Sequence, residues 1–311
     1  MQREISRVAI IGVGQVGAAV AYALILGCVA DEVLLVDIRG EWRDGQVRDL
    51  ADVAYAEGSR TRVHAADFRE ASQCDIVVIT AGSKFSYGQT SLDYLFRNTG
   101  ILRSVVNEMK PFRSDTILLV VANPVDLLTS LAKELAGLPP SQVIGSGTLL
   151  ASVRLRGLLA DSVNVAQSSI DLYVLGIHGD EEVAVWSTAT IGGVPLKHAL
   201  PAASEDAEKE RLARECKTRS RSIVSAKGAM SFGIGSVVSS ICTSILQDKR
   251  NVRPVSHFQP EFGCCFSLPV VLGRTGIIQG VPAGLSAAEQ EAVVRSAKEL
   301  RRTLDRVSEQ F

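Results

Sequence analysis

The stretch that decides the fold is VAIIGVGQVG at residues 8–17, in which Gly12, Gly14 and Gly17 have the spacing G-x-G-x-x-G. The apolar run before these glycines is typical of a buried strand, and QVGAAVAYALILG after the turn has the spacing of a helix. In that context the first glycine permits a tight turn, the second lets a pyrophosphate approach the backbone, and the third lets the helix pack on the sheet. The pattern predicts a dinucleotide site at the helix N-terminus. The alternative is a glycine-rich turn in an α/β domain that binds no dinucleotide.

Asp37 bears on which dinucleotide would bind. It ends the second apolar run, EVLLVDI, about twenty residues after Gly17, where an acidic residue accepts hydrogen bonds from the ribose hydroxyls. A carboxylate there repels a 2′-phosphate, so the sequence favours NAD over NADP. The nearby Arg39 weakens this preference slightly.

The order of apolar runs predicts the fold class. RVAIIGVG, EVLLVDI, CDIVVIT and TILLVVANP read as strands buried on both faces, and segments of helical spacing separate them. This alternation predicts an α/β domain with a doubly wound parallel sheet over residues 1–147. Residues 148–311 mix strands with a long helical run, in which Gly228 and Gly233 are expected to separate two helices. A capping-box pattern at Ser286 and Glu289 predicts a final helix.

Composition and charge exclude several classes of partner. Lys plus Arg total 33 and Asp plus Glu 34, a net charge of −1, which argues against nucleic acid or an anionic membrane surface. No apolar run approaches the roughly 20 residues of a membrane span, and no leader segment precedes the first strand. The six cysteines are scattered and include no C-x-x-C pair, which favours free thiols in the cytoplasm. No histidines or carboxylates have metal-ligand spacing, so we expect no metal site.

Further motifs follow the fingerprint in register. TAG, RN, VANPVD, GSGT, GIHGD, KGAMSFGIG and FSLPVVLG occur in an order and spacing that resemble the L-lactate/malate dehydrogenase family, closer to its lactate dehydrogenase branch. The resemblance runs from about Arg7 to the C-terminus. It implies a Rossmann-type domain followed by an α+β substrate domain, NAD as cofactor, a small-molecule substrate, and a homodimer or homotetramer.

The resemblance also implies residue roles. His178, in GIHGD, matches the family's proton donor and acceptor. An imidazole suits that role because it titrates near neutral pH. Arg154 matches the arginine that binds the substrate carboxylate, and Asn123, before a plausible cis proline, matches the residue beside the nicotinamide. These three are the expected catalytic residues. The expected cofactor-binding residues are Gly12, Gly14, Gln15, Val16, Gly17, Asp37, Ala81, Gly82, Asn98 and Asn123.

Four positions depart from the family pattern. Ser91 stands at the lid arginine that polarises the carbonyl, and Phe85 at the lid residue that separates lactate from malate. Ala151 stands at the aspartate that orients the catalytic histidine, and Met230 at a pocket threonine. The expected substrate pocket is therefore Phe85, Ser91, Asn123, Ala151, Arg154, His178 and Met230.

These departures lead to an expectation about activity. Loss of a charged donor aimed at a developing oxyanion costs about 10² to 10³ in rate, and without an anionic neighbour His178 should be less basic. We therefore expect inefficient lactate or malate turnover. The favoured reading is an NAD-dependent oxidoreductase, in specialised metabolism, for a bulkier hydroxy or keto compound. The alternatives are a cyclase or isomerase on the same fold and a catalytically silent NAD-binding protein.

Overall fold

The computed structural model describes residues 5–83, 90–199 and 205–308. In its first half, six parallel strands form a sheet with the order β3-β2-β1-β4-β5-β6. Their bounds are β1 Arg7–Ile11, β2 Glu32–Val36, β3 Arg62–Ala65, β4 Ile76–Ile79, β5 Ile117–Val120 and β6 Val143–Gly145. The strand order reverses between β1 and β4, which creates the crevice where ligands bind in such sheets.

Helices cover both faces of this sheet. They are α1 Gln15–Leu26, α2 Gly40–Ala56, α3 Phe68–Ala71, α4 Ser91–Met109 and α5 Val125–Ala136. Alternate residues of β1 enter two separate apolar cores: Val8 and Ile10 pack with α1, and Ala9 and Ile11 pack with residues from α4 and α5. Burial on both faces explains why the strand sequences are continuously apolar, and it confirms the predicted doubly wound sheet.

The second half extends the same sheet with antiparallel strands. β12 pairs with β6 through Ser256 and Gly145, and the order continues β12-β13-β8-β9. The elements here are α6 Leu149–Val163, β7 Ile170–Asp171, β8 Val174–Gly176, β9 Glu182–Ala184, β10 Thr190–Ile191, β11 Val194–Pro195, α7 Leu196–Ala199, α8 Asp206–Lys227, α9 Ser231–Leu246, β12 Asn251–Gln259, β13 Cys264–Gly273, β14 Gly276–Gly280 and α10 Ala287–Ser308. The division at residue 147 stays a prediction.

Two glycines of the long helical run behave differently. Gly228 ends α8 in the left-handed conformation with φ +84°, as predicted. The prediction for Gly233 is wrong, because this residue lies inside α9. A Cβ there would lie 3.3 Å from Leu150, so the missing side chain lets α9 pack close to α6.

The final helix begins as the sequence predicts. The backbone N–H of Ser286 donates to Glu289 at 2.8 Å, and the backbone N–H of Glu289 donates to Ser286 Oγ at 3.4 Å. This is a capping box, and the buried face of α10 carries Val293, Ala297 and Leu304. Within the described ranges, no helix is both long and apolar enough to cross a membrane.

Candidate active site

The glycine turn between β1 and α1 leaves room for a ligand at one of its three glycines. Gly12 has φ +88°, and a Cβ there would meet Ala81 Cα at 2.6 Å, while a Cβ on Gly17 would meet the Gly12 carbonyl oxygen at 2.2 Å. Thr80 Oγ1 also donates to that carbonyl at 2.6 Å. A Cβ on Gly14, by contrast, would meet nothing within 4 Å. The turn therefore presents open backbone at the helix N-terminus, which fits a pyrophosphate.

Asp37 follows β2 directly and is held by the turn. Its Oδ2 accepts from Val13 N at 3.0 Å and its Oδ1 from Arg39 N at 2.9 Å. The Arg39 guanidinium lies 4.9 Å from the centre of the Trp42 ring, with Nε 3.4 Å from Asp37 Oδ1. A carboxylate has about four acceptor positions, so Asp37 retains capacity for ribose hydroxyls. These contacts hold Arg39 beside an anion, which limits its use against a 2′-phosphate.

Three adjoining cavities lead from Asp37 to His178. The outer cavity, of about 390 Å³, is lined by Gly12, Gly14, Val36, Asp37, Ala81 and Gly82 among others. The central cavity, of about 400 Å³, shares Gly14, Thr80 and Gly82 with it and adds Gln15, Val16, Gly17, Asn98, Asn123 and Met230. The inner cavity, of about 20 Å³, shares Asn123 and Met230 with the central one and reaches His178. The predicted cofactor residues therefore line adjoining cavities, which together are called the channel below.

Asn98 connects two loops of this channel. Its Nδ2 donates to the Asn123 carbonyl at 2.8 Å, and its Oδ1 accepts from Ser83 N at 2.7 Å and Ser83 Oγ at 3.0 Å. Its side chain is buried, whereas Asn123 is exposed at the channel wall and precedes a cis proline, Pro124. Asn98 thus fixes the position of the Asn123 backbone.

Arg154 projects from α6 toward α8 and α9. Its Nη1 donates to the Cys216 carbonyl at 3.0 Å and to Ser220 Oγ at 2.6 Å, and its Nη2 lies 3.6 Å from Met230 Sδ. Arg154 therefore contacts a residue that lines the central cavity. A guanidinium has five donors in a planar fork, so Arg154 retains N–H groups for a carboxylate.

His178 lies on the loop between β8 and β9, with two acidic side chains around it. Asp126 Oδ2 accepts from the His178 backbone N–H at 2.7 Å, and Glu182 Oε2 lies 3.5 Å from His178 Nδ1. Burial lowers the pKa of His178, but the contact with Glu182 and the charges of Glu182 and Asp126 outweigh both burial and the repulsion from Arg154. The net effect raises the pKa of His178. Burial likewise raises the pKa of Asp126.

The expectation that His178 lacks an anionic neighbour is therefore wrong. Glu182 supplies a carboxylate on the same hairpin, and only 6% of its side chain is exposed. One signal for this contact was present in the sequence, namely an acidic residue four positions after the histidine. The sequence did not show that Gly176 pairs with Glu182, which turns Glu182 inward. Asp126, in VANPVD, was missed as well.

The positions that depart from the family pattern lie in different surroundings. Ala151 is 3% exposed and packs in an apolar cluster with Leu155 and Leu158. Ser91 is the first residue of α4. Phe85 lies outside the described residues. Met230 lies in the channel wall.

The fold and the channel together define a class of protein: an α/β protein whose channel suits a dinucleotide and reaches a histidine. The family model for the lactate/malate dehydrogenase NAD binding domain matches residues 6–145, and that for the family's α/β C-terminal domain matches residues 148–311. The chain belongs to the lactate/malate dehydrogenase family, and its cofactor is NAD.

Relatives of known name agree over nearly the whole chain. L-lactate dehydrogenase A of Rhizopus oryzae is 40% identical over 95% of this chain and 91% of its own length. L-lactate dehydrogenase of Latilactobacillus sakei is 37% identical over 100% of this chain and 97% of its own. The crystal structure of a minor L-lactate dehydrogenase from Enterococcus mundtii has a TM-score of 0.93 at 32% identity, covering 98% of this chain and 99% of that one.

These relatives correct the expected activity. The preference for a hydroxy or keto compound other than lactate is wrong, as are the cyclase, isomerase and silent-protein alternatives, because full-length relatives at 37–40% identity are L-lactate dehydrogenases. The physical reason lies partly at Glu182. The expectation assumed that no other group replaces the aspartate charge missing at Ala151, whereas the Glu182 carboxylate lies beside His178.

Proposed function

We propose that the protein is an NAD-dependent L-lactate dehydrogenase that interconverts L-lactate and pyruvate. The observation that carries the proposal is the channel that runs from Asp37 past Asn123 to His178, in a chain similar to L-lactate dehydrogenases over nearly its full length. Its residues offer the two functions that this reaction needs beside the cofactor, which are a proton acceptor and a carboxylate-binding cation.

The chemistry divides among the cofactor and four side chains. NAD, when bound, supplies the hydride acceptor. His178 accepts the hydroxyl proton of lactate at Nε2 as the carbonyl forms, and returns it when pyruvate is reduced. Arg154 binds the carboxylate through parallel N–H donors and so orients the substrate. Asn123 and Asn98 form the wall between the cofactor and the substrate.

Pyruvate reduction tests this proposal directly. We expect purified protein to oxidise NADH with pyruvate at a kcat within about 1 to 10³ s⁻¹, and to have a lower kcat/KM for oxaloacetate. In the reverse direction, L-lactate but not D-lactate should reduce NAD. Binding of NADH, followed by fluorescence, without pyruvate turnover would contradict the proposed function and leave the cofactor assignment intact.

Asp37 is expected to set the preference for NADH over NADPH. Replacing Asp37 with asparagine removes the charge that repels a 2′-phosphate but keeps the side-chain shape, so the ratio of kcat/KM for NADH to that for NADPH should fall about tenfold, equivalent to 1.4 kcal/mol. Steady-state kinetics with both cofactors measure the ratio. The control is Arg39→Gln, which removes the neighbouring cation and should raise the ratio. An unchanged ratio in Asp37→Asn would contradict the assigned role.

Assembly and location remain proposals. Large apolar side chains are exposed on α1, α2 and α9, including Tyr22, Tyr55 and Phe232, and α1 packs on both of the other helices. This arrangement supports a homodimer or homotetramer. The five buried free cysteines, such as Cys264 and Cys265, support a reducing, cytoplasmic location.

A further inference from the structure

A buried carboxylate faces the ring of His178 across a tight hairpin. The hairpin joins β8 to β9, and Gly176 pairs with Glu182 so that the loop between them contains only five residues. Glu182 Oε2 lies 3.5 Å from His178 Nδ1, and 6% of the glutamate side chain is exposed against 24% of the histidine's. At this distance the pair is an ion-pair contact and not a short hydrogen bond.

Burial gives this contact weight. A carboxylate removed from water is costly unless a cation or hydrogen-bond donor faces it, and His178 is the ion-pair partner that the structure gives Glu182. The Nδ1 atom is itself enclosed and makes no hydrogen bond within the described part of the chain. The imidazole therefore stabilises the buried carboxylate and the carboxylate stabilises the charge on the ring. Nε2 is the ring nitrogen that remains for a substrate.

The other groups around the ring act differently. The Asp126 carboxylate accepts from the backbone N–H of His178, so it holds the main chain and not the ring. The Arg154 cation disfavours the charged imidazole. The Cys216 thiol interacts with the charges of Glu182 and Arg154, but it keeps its proton because burial raises its pKa to about 11. Glu182 is the group that reaches a ring nitrogen.

We propose that Glu182 is the positioning residue of His178 and replaces the aspartate that family members carry at the position of Ala151. The negative charge beside Nδ1 favours the neutral tautomer that carries its proton there, and the Nε2 lone pair then remains for the substrate. When the O–H bond of lactate breaks and an N–H bond forms at Nε2, the carboxylate stabilises the imidazolium. This inference rests on the proposed lactate dehydrogenase function for its kinetic test but not for its spectroscopic one.

The test compares Glu182→Gln with Glu181→Gln, since Glu181 is the exposed neighbour on the same hairpin. We expect Glu182→Gln to lower kcat for pyruvate reduction roughly 10- to 100-fold, by analogy with partners that orient metal-ligating histidines, with little change in KM, and Glu181→Gln to leave both unchanged. Without the glutamate charge the pKa of His178 should fall. The pH at which the rate of pyruvate reduction declines should therefore be lower than in the wild type. The pH at which the rate of lactate oxidation rises should be lower as well.

Ring resonances of His178 give a readout that needs no turnover. The chain has four histidines, so NMR titration with a His178→Gln reference identifies the signal, and the His178 pKa should be lower in Glu182→Gln than in Glu181→Gln. A wild-type protein without lactate turnover but with this shift would overturn the proposed function and support the role of Glu182. An unshifted pKa and unchanged kcat in folded Glu182→Gln would overturn the role of Glu182 alone.

Ala151→Asp in the Glu182→Gln background is the rescue variant. If the two positions serve the same ring, the new carboxylate should restore part of kcat and return the pH profile toward that of the wild type. Ala151 lies in an apolar cluster, so thermal unfolding must first show that the double variant is folded. A folded double variant with kcat and profile unchanged from Glu182→Gln would count against the replacement.

Discussion

Replacing His178 with glutamine is expected to lower kcat for pyruvate reduction by about 10² to 10⁴-fold, the usual contribution of a positioned acid–base group. Glutamine keeps a polar side chain of similar reach and the backbone N–H that donates to Asp126. It cannot accept a proton from lactate or deliver one to pyruvate at neutral pH. Steady-state rates in both directions, with KM for pyruvate measured beside kcat, test this expectation.

The pH dependence gives the same variant a second signature. Pyruvate reduction needs protonated His178 and lactate oxidation needs the neutral form. Because the pKa of His178 is raised, by Glu182 and Asp126 against burial, reduction should persist to higher pH, and oxidation should begin to rise at higher pH, than an unperturbed imidazole would allow. In His178→Gln, neither the decline of pyruvate reduction with rising pH nor the rise of lactate oxidation (the two pH limbs) should be seen.

The exposed His198 on α7 is the matched control for this variant. His198→Gln changes the same side chain outside the channel, so kcat and both pH limbs should equal those of the wild type. If His178→Gln kept wild-type rates, or if His198→Gln lost them, the assignment of the proton acceptor would be wrong.

The residues expected to bind the cofactor could be located from the sequence because their signals are local, and their binding roles stay a prediction. The turn, the helix start and the end of β2 are each specified within a few residues, so Gly12, Gly14 and Asp37 could be assigned from spacing alone. The parallel sheet follows from the same locality, because both-face burial leaves continuous apolar runs. The structure places all three residues along the channel.

The substrate half depended on contacts between distant segments. Glu182 faces His178 because of the register between β8 and β9, and Asp126 reaches the same loop from α5, 52 residues away in sequence. Position-by-position comparison identified the missing aspartate at Ala151, but it could not show where another carboxylate would lie. Gly233 was misjudged for a similar reason, since packing against Leu150 and not helix propensity decides its place.

Replacing Arg154 with glutamine is expected to lower kcat/KM for pyruvate by about 10²- to 10⁴-fold, mainly through KM. In its proposed role Arg154 makes two parallel charge-assisted hydrogen bonds to the carboxylate, each worth roughly 1.5–3 kcal/mol, which the variant would lose. Arg154 also donates to Ser220 and to the Cys216 carbonyl, so thermal unfolding should be measured beside the kinetics. Arg154→Lys keeps the charge without the planar fork and should recover only part of the loss.

Methyl pyruvate separates carboxylate binding from a general disturbance of the site. Its ester carries no negative charge, so wild-type protein should use it poorly, and Arg154→Gln should leave its kcat/KM nearly unchanged while that for pyruvate falls. Ser220→Ala is the matched control, because it removes one partner of Arg154 and keeps the cation. Its preference for pyruvate over the ester should therefore stay within a few-fold of wild type. Equal losses for both substrates in Arg154→Gln would mean that the arginine maintains the packing of α6 against α8 and does not bind the carboxylate.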